Sequence, residues 1–423
     1  MPLTERWEVT VLGDGPDAAL IAMEVGRGGI PVTWVRGTRG ASATSLDGTV
    51  RRTPGDGLDL LFARPDGLRP VAEHRLQFLG TSAVSLDVLQ SAPSARPGPG
   101  ASTLRPAELA ADWEQRARSF DVRVDPADPA AAGDRTVADA GDGPRPEAPR
   151  PLVVCCTGER APLASSSSAA TTLLGWRSVT LPAGAVERRF SLPSQQATVV
   201  DAVLAEGSGE LLLGGYVVTH AQGLTVGVAA RTARGPAAAD WATRARPALD
   251  YFLQSRTVAP FLVGGSFGEE RWTAVPRFAA GGTGLSDAGT LLVGGAAGLI
   301  SAPTSFAPDW TLALRSARAA SQAILRAGAS PAPAETVLGE YRRTLVRTGV
   351  EREQRAVEAA ERRFKWNPRV HRQYTRFLEA LLHGMMSQPG SPKQRVRDTV
   401  RDARRAAGVR WTDLLRDALG GGS

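Results

Sequence analysis

Val9–Val35 reads VTVLGDGPDAALIAMEVGRGGIPVTWV, and this stretch decides the fold. Val9–Leu12 is a short apolar run that reads as a buried strand. The glycine turn Gly13-Asp14-Gly15 follows, then a helix through about Gly26, and Pro31–Val35 reads as the next strand. Strand, glycine turn, helix and strand in about thirty residues form a βαβ unit, the opening of a doubly wound parallel sheet.

Two later strands end in the same manner. Leu152–Cys156 stops at Thr157-Gly158, and Thr290–Val293 runs into Gly294-Gly295-Ala296-Ala297-Gly298 ahead of a long Ala-rich helix over Trp310–Ala327. From Val186 to Ala230 the pattern changes to alternating strands, with a hairpin of Leu211–Thr219 and Leu224–Ala230 around Gln222-Gly223. Leu104–Phe120 has helical spacing, and Arg246–Phe261 returns to helix. Gln90–Thr103 and Asp125–Arg150, rich in Pro, Ala and Gly, read as linkers. Beyond Glu340 the chain is helical and very basic. It ends in Val396–Leu419, where apolar residues recur at three- and four-residue intervals among arginines.

The fold class expected is therefore α/β: a Rossmann-like doubly wound domain, an inserted, mostly antiparallel β domain of substrate-binding type, and a helical C-terminal region. Residues 1–185 and 270–335 are assigned to the first, 186–269 to the second and 336–419 to the third. Gly420–Ser423 reads as a linker remnant.

The 423 residues include 42% apolar ones, enough for a substantial interior, and the net charge is +7. Such a surplus suits an acidic protein partner or an anionic membrane surface. No compact Lys/Arg block with interleaved aromatics appears, so nucleic acid is not expected. Cys155 and Cys156 are the only cysteines, too few for an iron–sulfur cluster, which needs about four thiolates. As strand neighbours they point to opposite faces, and they read as small core residues. His74, His220, His371 and His383 show no metal-ligand spacing, so no metal is expected. Met1–Glu8 leads straight into an apolar run and no membrane span is visible. A cytoplasmic location follows, with peripheral contact at the inner face of the membrane as an added expectation.

Gly13-Asp14-Gly15-Pro16-Asp17-Ala18 fits G-x-G-x-x-G/A. Gly13 permits the tight turn, Gly15 lets a diphosphate approach the backbone at the helix N-terminus, and Ala18 allows close helix–strand packing. Val153–Gly158 (VVCCTG) resembles the A-[DT]-G strand end of flavin-dependent oxidoreductases, and Leu291–Gly298 (LLVGGAAG) their late G-D-A-A-G segment. Order and separation match as well. The resemblance is closest to the FixC-type family, related to electron-transfer-flavoprotein:quinone oxidoreductases and geranylgeranyl reductases. It extends through Arg75–Leu86, Leu104–Arg118, Gly215–Val228, Ala248–Gly265 and Phe364–Arg395 with Pro392-Lys393. It implies FAD held by Gly13, Gly15, Ala18, Arg36, Gly158, Gly295, Ala296 and Gly298. It also implies electron transfer from an electron-transfer flavoprotein to quinone, with a ferredoxin-like protein assisting. No general base or nucleophile is readable, which suits a family whose chemistry belongs to the cofactor.

The residues that should grip FAD are altered. The acidic residue that ends the second strand in the family, to hold the adenosine ribose, is matched here by Arg36. Gly295 stands at the aspartate of the late motif. Asp14 and Asp17 face the expected diphosphate, and the basic residue after the late motif is missing from Thr304–Trp310. Each lost charged hydrogen bond costs roughly 1.5–3 kcal/mol. A carboxylate about 6 Å from a phosphate adds roughly 2–3 kcal/mol of repulsion. The total, roughly 6–10 kcal/mol, removes several powers of ten in affinity. Asp17 also has a use without any ligand, since it satisfies the positive helix end itself. Three readings stay open. The first is loss of FAD, the chain serving as a structural subunit beside an electron-transfer flavoprotein, a ferredoxin-like protein or an intact homologue. The second is an active FAD enzyme, and the third NADP, whose 2′-phosphate Arg36 could accept. The combined changes favour the first.

Overall fold

The structure is a computed structural model that describes residues 8–36, 46–51, 58, 68–79, 85–91, 101–125, 152–156, 172–192, 195–204, 211–231, 238–276, 278, 285–287, 290–302, 305–328, 334–378, 380–381 and 392–413. In chain order its N-terminal part runs β1 (Val9–Leu12), α1 (Pro16–Arg27), β2 (Val32–Val35), β3 (Gly48–Arg51), β4 (Leu68–Leu79), β5 (Ser85–Ser91), β6 (Ala101–Leu104), α2 (Pro106–Arg118), β7 (Arg123–Asp125) and β8 (Leu152–Cys155). The middle comprises β9 (Thr172–Thr180), α3 (Ala185–Phe190), β10 (Ala197–Leu204), β11 (Leu212–His220), β12 (Gly223–Arg231), α4 (Ala238–Gln254) and α5 (Ala259–Leu262). Short strands β13 (Ser266–Phe267), β14 (Arg271–Val275), β15 (Ser286–Asp287) and β16 (Thr290–Leu292) lead to α6 (Thr311–Ala327), α7 (Ala334–Arg347), α8 (Val350–Arg363) and α9 (Pro392–Ala407).

One sheet has the order β15-β16-β8-β1-β2-β7, parallel except for β15. Its inner strands are near-continuous apolar runs because helices cover them: Val9 and Val11 are fully buried, as are Ala18, Ile21 and Ala22 of α1. Helix α1 packs against α2 and α6, so the sheet carries the doubly wound layering that the glycine turn foretold.

The second sheet has the order β13-β9-β12-β11-β10-β4-β6-β3, with β14 on β9 and β5 on β4. Strands β9 to β12 are antiparallel, while β10 and β4 run parallel. Strands β4 and β9 fall in the segment 1–185, yet they pair within this second sheet. The ends of Gln90–Thr103, expected as a linker, are strand residues of β5 and β6. Val186–Phe190 is helix α3, where alternating strand was expected. Val186 and Phe190 sit four residues apart and are both buried, a helical spacing started by Gly184 at φ +67°.

Each face of the second sheet has its own partner. Behind it, Ala245, Leu249 and Phe252 of α4 cover Val200, Ala202, Val226 and Val228. In front, Trp176, Val199, Tyr216 and Val218 join the main core of the first sheet. Asp201, fully buried on β10, ties the two halves together. It accepts hydrogen bonds from the Phe306 N–H (2.6 Å) and the Ser305 hydroxyl (3.1 Å), and His74 Nε2 lies 2.5 Å away. Burial works against charge on His74, but the hydrogen bond and charge of Asp201 outweigh it and raise the imidazole pKa. The Phe306 ring then lies flat on Gly214, where a Cβ would stand 2.0 Å from it. The C-terminal region docks on the same spot. Trp366 meets Phe306 edge-on, and buried Lys365 is 2.9 Å from Glu361, which also faces Arg231 at 3.5 Å.

Gly214→Ala is expected to destabilise the protein by about 2 kcal/mol or more, because the aromatic ring has no room to retreat. Gly339→Ala in α7, where an added methyl meets nothing, is expected to stabilise by roughly 0.5–1 kcal/mol. Urea unfolding of both variants checks the pair.

Candidate functional site

Strands β1, β8 and β16 end level with one another: Leu12 is paired with Cys155, and Cys155 with Leu292. The chain order reverses between β1 and β8, so the crevice of this sheet opens at their carboxyl ends. All three glycine segments picked out in the sequence follow these ends. Gly13 is buried with φ +143°, a conformation that favours glycine, and its carbonyl accepts the Trp34 indole N–H at 2.7 Å. Gly15 is the N-cap of α1, and Ala18 is fully buried against the sheet, as the fingerprint requires. Gly295, Ala296 and Gly298 form a tight buried turn after β16. Gly158 lies outside the described residues.

What fills the junction of the first and last segments is Asp17. It is the second residue of α1 and only 1% exposed. Its Oδ1 accepts the Ala18 N–H at 3.0 Å, and its Oδ2 accepts the Gly295 N–H of the late turn at 3.2 Å. A Cβ on Gly294 would lie 2.0 Å from Oδ2, so the turn closes on the carboxylate with glycine alone. Pro16, at the first position of the helix, has no N–H to offer. Gly294 N–H is taken by the Ser316 hydroxyl at 3.0 Å, and the N–H groups of Ala296, Ala297 and Gly298 bond carbonyls of their own turn. Of the donors that a diphosphate would use, those of Ala18 and of the late turn are thus engaged within the protein.

Burial pushes the Asp17 carboxyl up to about 7, against the pull of the Gly295, Ala18 and Asp17 backbone N–H groups. Burial, with Asp17 adding to it, drives the Cys156 thiol well above its usual range, and burial, with Cys156 and Asp17 adding to it, raises Tyr341 of α7. The group is buried, and its thiol stays protonated and unreactive.

Arg36 follows β2 where the ribose-binding acid was expected. Its guanidinium does not wait for a ligand: Nη1 pairs with Glu114 of α2 at 2.5 Å, and the group lies 5.7 Å from the centre of the Trp34 ring. A 2′-phosphate would have to displace Glu114. Sequence reasoning found Asp17 but not its bond to Gly295, and it missed Pro16 and Ser316. The contact joins residues 278 positions apart, so the one signal was the coincidence of an added aspartate in the first motif and a lost one in the last. Among the described residues no group of three or more His, Cys, Asp or Glu could hold a metal ion.

No protein-family model matches the chain, and no curated protein matches it. Among solved structures it is similar to a geranylgeranyl bacteriochlorophyll reductase-like protein from Thermoplasma acidophilum. The identity is 16% and the TM-score 0.57, over 95% of this chain and 97% of that one. It is also similar to the p-nitrophenol 4-monooxygenase PnpA from Pseudomonas putida (14% identity, TM-score 0.49, 98% of each chain). The flavin-dependent brominase Bmp2 follows at 12% identity and TM-score 0.46, again over 98% of each chain. The likeness to the first is one of fold: a parallel sheet, a mostly antiparallel sheet and a helical C-terminal region.

The residues present do not fit a dinucleotide. They do predict a pH response. Unfolded, Asp17 ionises near the ordinary aspartate value of 3.8, whereas folded it holds its proton to about 7. Stability therefore falls as pH rises between these values and levels off above about 7. Asp17→Asn should remove that slope, gaining on the native chain by on the order of 4 kcal/mol between pH 4 and pH 8. Urea titrations of both proteins across this range measure it, and parallel profiles would contradict the assignment.

Proposed function

We propose that this chain is a flavin-free relative of the FixC-type, electron-transfer-flavoprotein:quinone oxidoreductases, kept as a non-catalytic subunit of an electron-transfer complex. The observation that carries the reading is the Asp17 carboxylate, seated between the start of α1 and the Gly294-Gly295 turn with the local N–H groups bonded to it. In a dinucleotide fold that place belongs to phosphate. A chain that supplies its own anion there has closed the site, and it repels a second one. No redox step is assigned to this chain.

The test is an absorbance spectrum of the purified protein in the visible flavin band, which is expected to be blank. A yellow protein with stoichiometric FAD would restore the active-enzyme reading. Flavin binding is expected to return measurably on combining Asp14→Ala, Asp17→Ala, Gly295→Asp and Arg36→Glu. Glu114→Gln is added because Glu114 would otherwise face a second carboxylate. At Gly295 the new Cβ lies 3.4 Å from the Cys156 carbonyl, an ordinary contact, so aspartate can be built there.

A subunit retained for its surface needs a partner, and the surplus of arginine suits an acidic one such as an electron-transfer flavoprotein or an intact homologue. In α9 the apolar stripe packs inward, with Thr399, Ala403 and Ala407 buried, while Arg401 and Arg405 are exposed and Trp411 beyond them is 52% exposed. The face offered outward carries Arg405, Arg410 and an Arg401 paired with Asp398 and Asp402, with an aromatic end. Arg401→Glu, Arg405→Glu and Arg410→Glu together are expected to weaken co-purification of the partner more at low than at high salt. Unchanged recovery at both would remove this helix from consideration. Among the described residues no helix is long and apolar enough to cross a membrane.

A further inference from the structure

His74 and Asp201 meet because of the register between two parallel strands. His74 on β4 stands opposite Val199 on β10, and Leu76 opposite Asp201, so the two polar side chains are diagonal neighbours on the front face of the second sheet. The imidazole Nε2 lies 2.5 Å from Asp201 Oδ2. The other carboxylate oxygen, Oδ1, accepts the Phe306 N–H at 2.6 Å and the Ser305 hydroxyl at 3.1 Å. One carboxylate therefore holds a histidine with one oxygen and the loop after the late turn with the other. Asp201 is fully buried, whereas the His74 side chain is 32% exposed and can exchange protons with solvent. Phe306 carries the grip further. Its ring covers Gly214 of β11, Trp366 meets it edge-on, and Lys365 Nζ lies 5.8 Å from its centre.

The neighbouring charges are engaged elsewhere. On β4, Glu73 and Arg75 fall on the opposite face and pair with each other at 2.7 Å, and Arg69 pairs with Glu187 at 3.4 Å. The register of β5 sets Gln90 opposite His74, with Asp87 three positions away opposite Gln77. Strand β6 has no titratable residue, and on β10 Asp201 is the sole one. In the loop, Asp309 is bonded to Arg51 at 3.0 Å and to the Thr311 N–H at 2.9 Å. The π-helical turn Val370–Tyr374 packs on β10. There His371 faces the Leu204 and Lys365 carbonyls, Arg372 is exposed, and Tyr374 packs against the main core. Lys365 itself is paired with Glu361. Among the described residues, the charge that acts on His74 is that of Asp201.

Opening of the loop would let water reach Asp201 and weaken its pull on the ring. A charged ring therefore resists opening more than a neutral one does. We propose that His74 and Asp201 form a proton-operated clamp: the imidazolium tightens the Ser305–Ala307 loop onto β10, and the neutral ring slackens it. Asp201 raises the proton affinity of His74 against the opposing effect of burial. The extra grip is thus complete below the ordinary imidazole value of 6.5 and is lost as pH rises through the higher folded value. The contribution of Asp17 differs in place and range, lying in the other sheet and ending at about pH 7. Through Phe306, the clamp also sets how firmly the C-terminal helices are seated.

NMR of the full native chain from about pH 5 to about pH 9 tests the clamp. Two signals are followed: the His74 ring, identified by its loss in His74→Gln, and the Phe306 amide. Both are expected to titrate with one shared midpoint above 6.5. Hydrogen-exchange protection of the Phe306 amide, corrected for the intrinsic effect of pH, should fall about fivefold across that midpoint, the difference between a charge-assisted and a neutral hydrogen bond. The Trp310 amide, bonded to the Thr49 carbonyl, is the reference and should not change. His74→Gln keeps a neutral donor beside Asp201, so its Phe306 protection should stay flat at the high-pH level. Asp17→Asn should leave the Phe306 response intact. If His74→Gln fails to fold, the shared midpoint in the native chain decides, with the ring assigned by through-bond correlation to its own backbone. Titration of His74 at or below 6.5 overturns the proposal, as does a Phe306 amide that ignores it. So does a native response retained in His74→Gln or abolished in Asp17→Asn.

Discussion

A carboxylate buried at the start of a helix is the constraint around which the first half of this protein is arranged. Asp17 is held by the Ala18 N–H from one side and the Gly295 N–H from the other, so it joins the first crossover of the sheet to its last. The helix end supplies the positive potential, and the backbone amides supply the donors. Desolvation opposes both, which is why the carboxyl titrates near neutrality and not in the usual carboxylate range. Glycine at 294 is a consequence of the same contact, since no side chain fits beside Oδ2.

The second half depends on an analogous device of different character. Asp201 is a fully buried acid on a central strand, and it collects N–H and O–H donors from the loop that follows the late turn. With that loop fixed, Phe306 is pressed onto Gly214, and Trp366 with Lys365 closes over it from the C-terminal helices. Two buried carboxylates thus set how the sheets and the helical tail fit together. Hydrophobic burial supplies the stability around them, and the polar contacts supply the register.

The first sheet was legible because its signals are local. A strand that stops on glycine and turns into a helix can be read within a dozen residues, and Val9–Ala18 has that form. The hairpin at Gln222-Gly223 was equally plain. The extent of the second sheet was not, because β4 joins β10 across more than a hundred residues and no periodicity announces a parallel neighbour. Helix α3 was missed because its six residues make fewer than two helical turns. At the site, the identities of Gly13, Asp17, Arg36 and Gly295 could be read, but not their partners. Arg36 reads as a phosphate ligand until Glu114 is seen beside it, and Glu114 lies 78 residues on, in another helix.

The contact between Asp17 and the late turn also makes the residues around it depend on one another. A side chain cannot be added at Gly294 while the Asp17 oxygen stands 2.0 Å from the Cβ position. An aspartate restored at Gly295 would bring a second anion to the one already bonded there. Any change to this turn must therefore begin at Asp17, and a residue there without an acceptor strands the Gly295 N–H. The closure acts as a latch: one side chain sets what residues the helix start and the late turn, 278 positions apart, can hold.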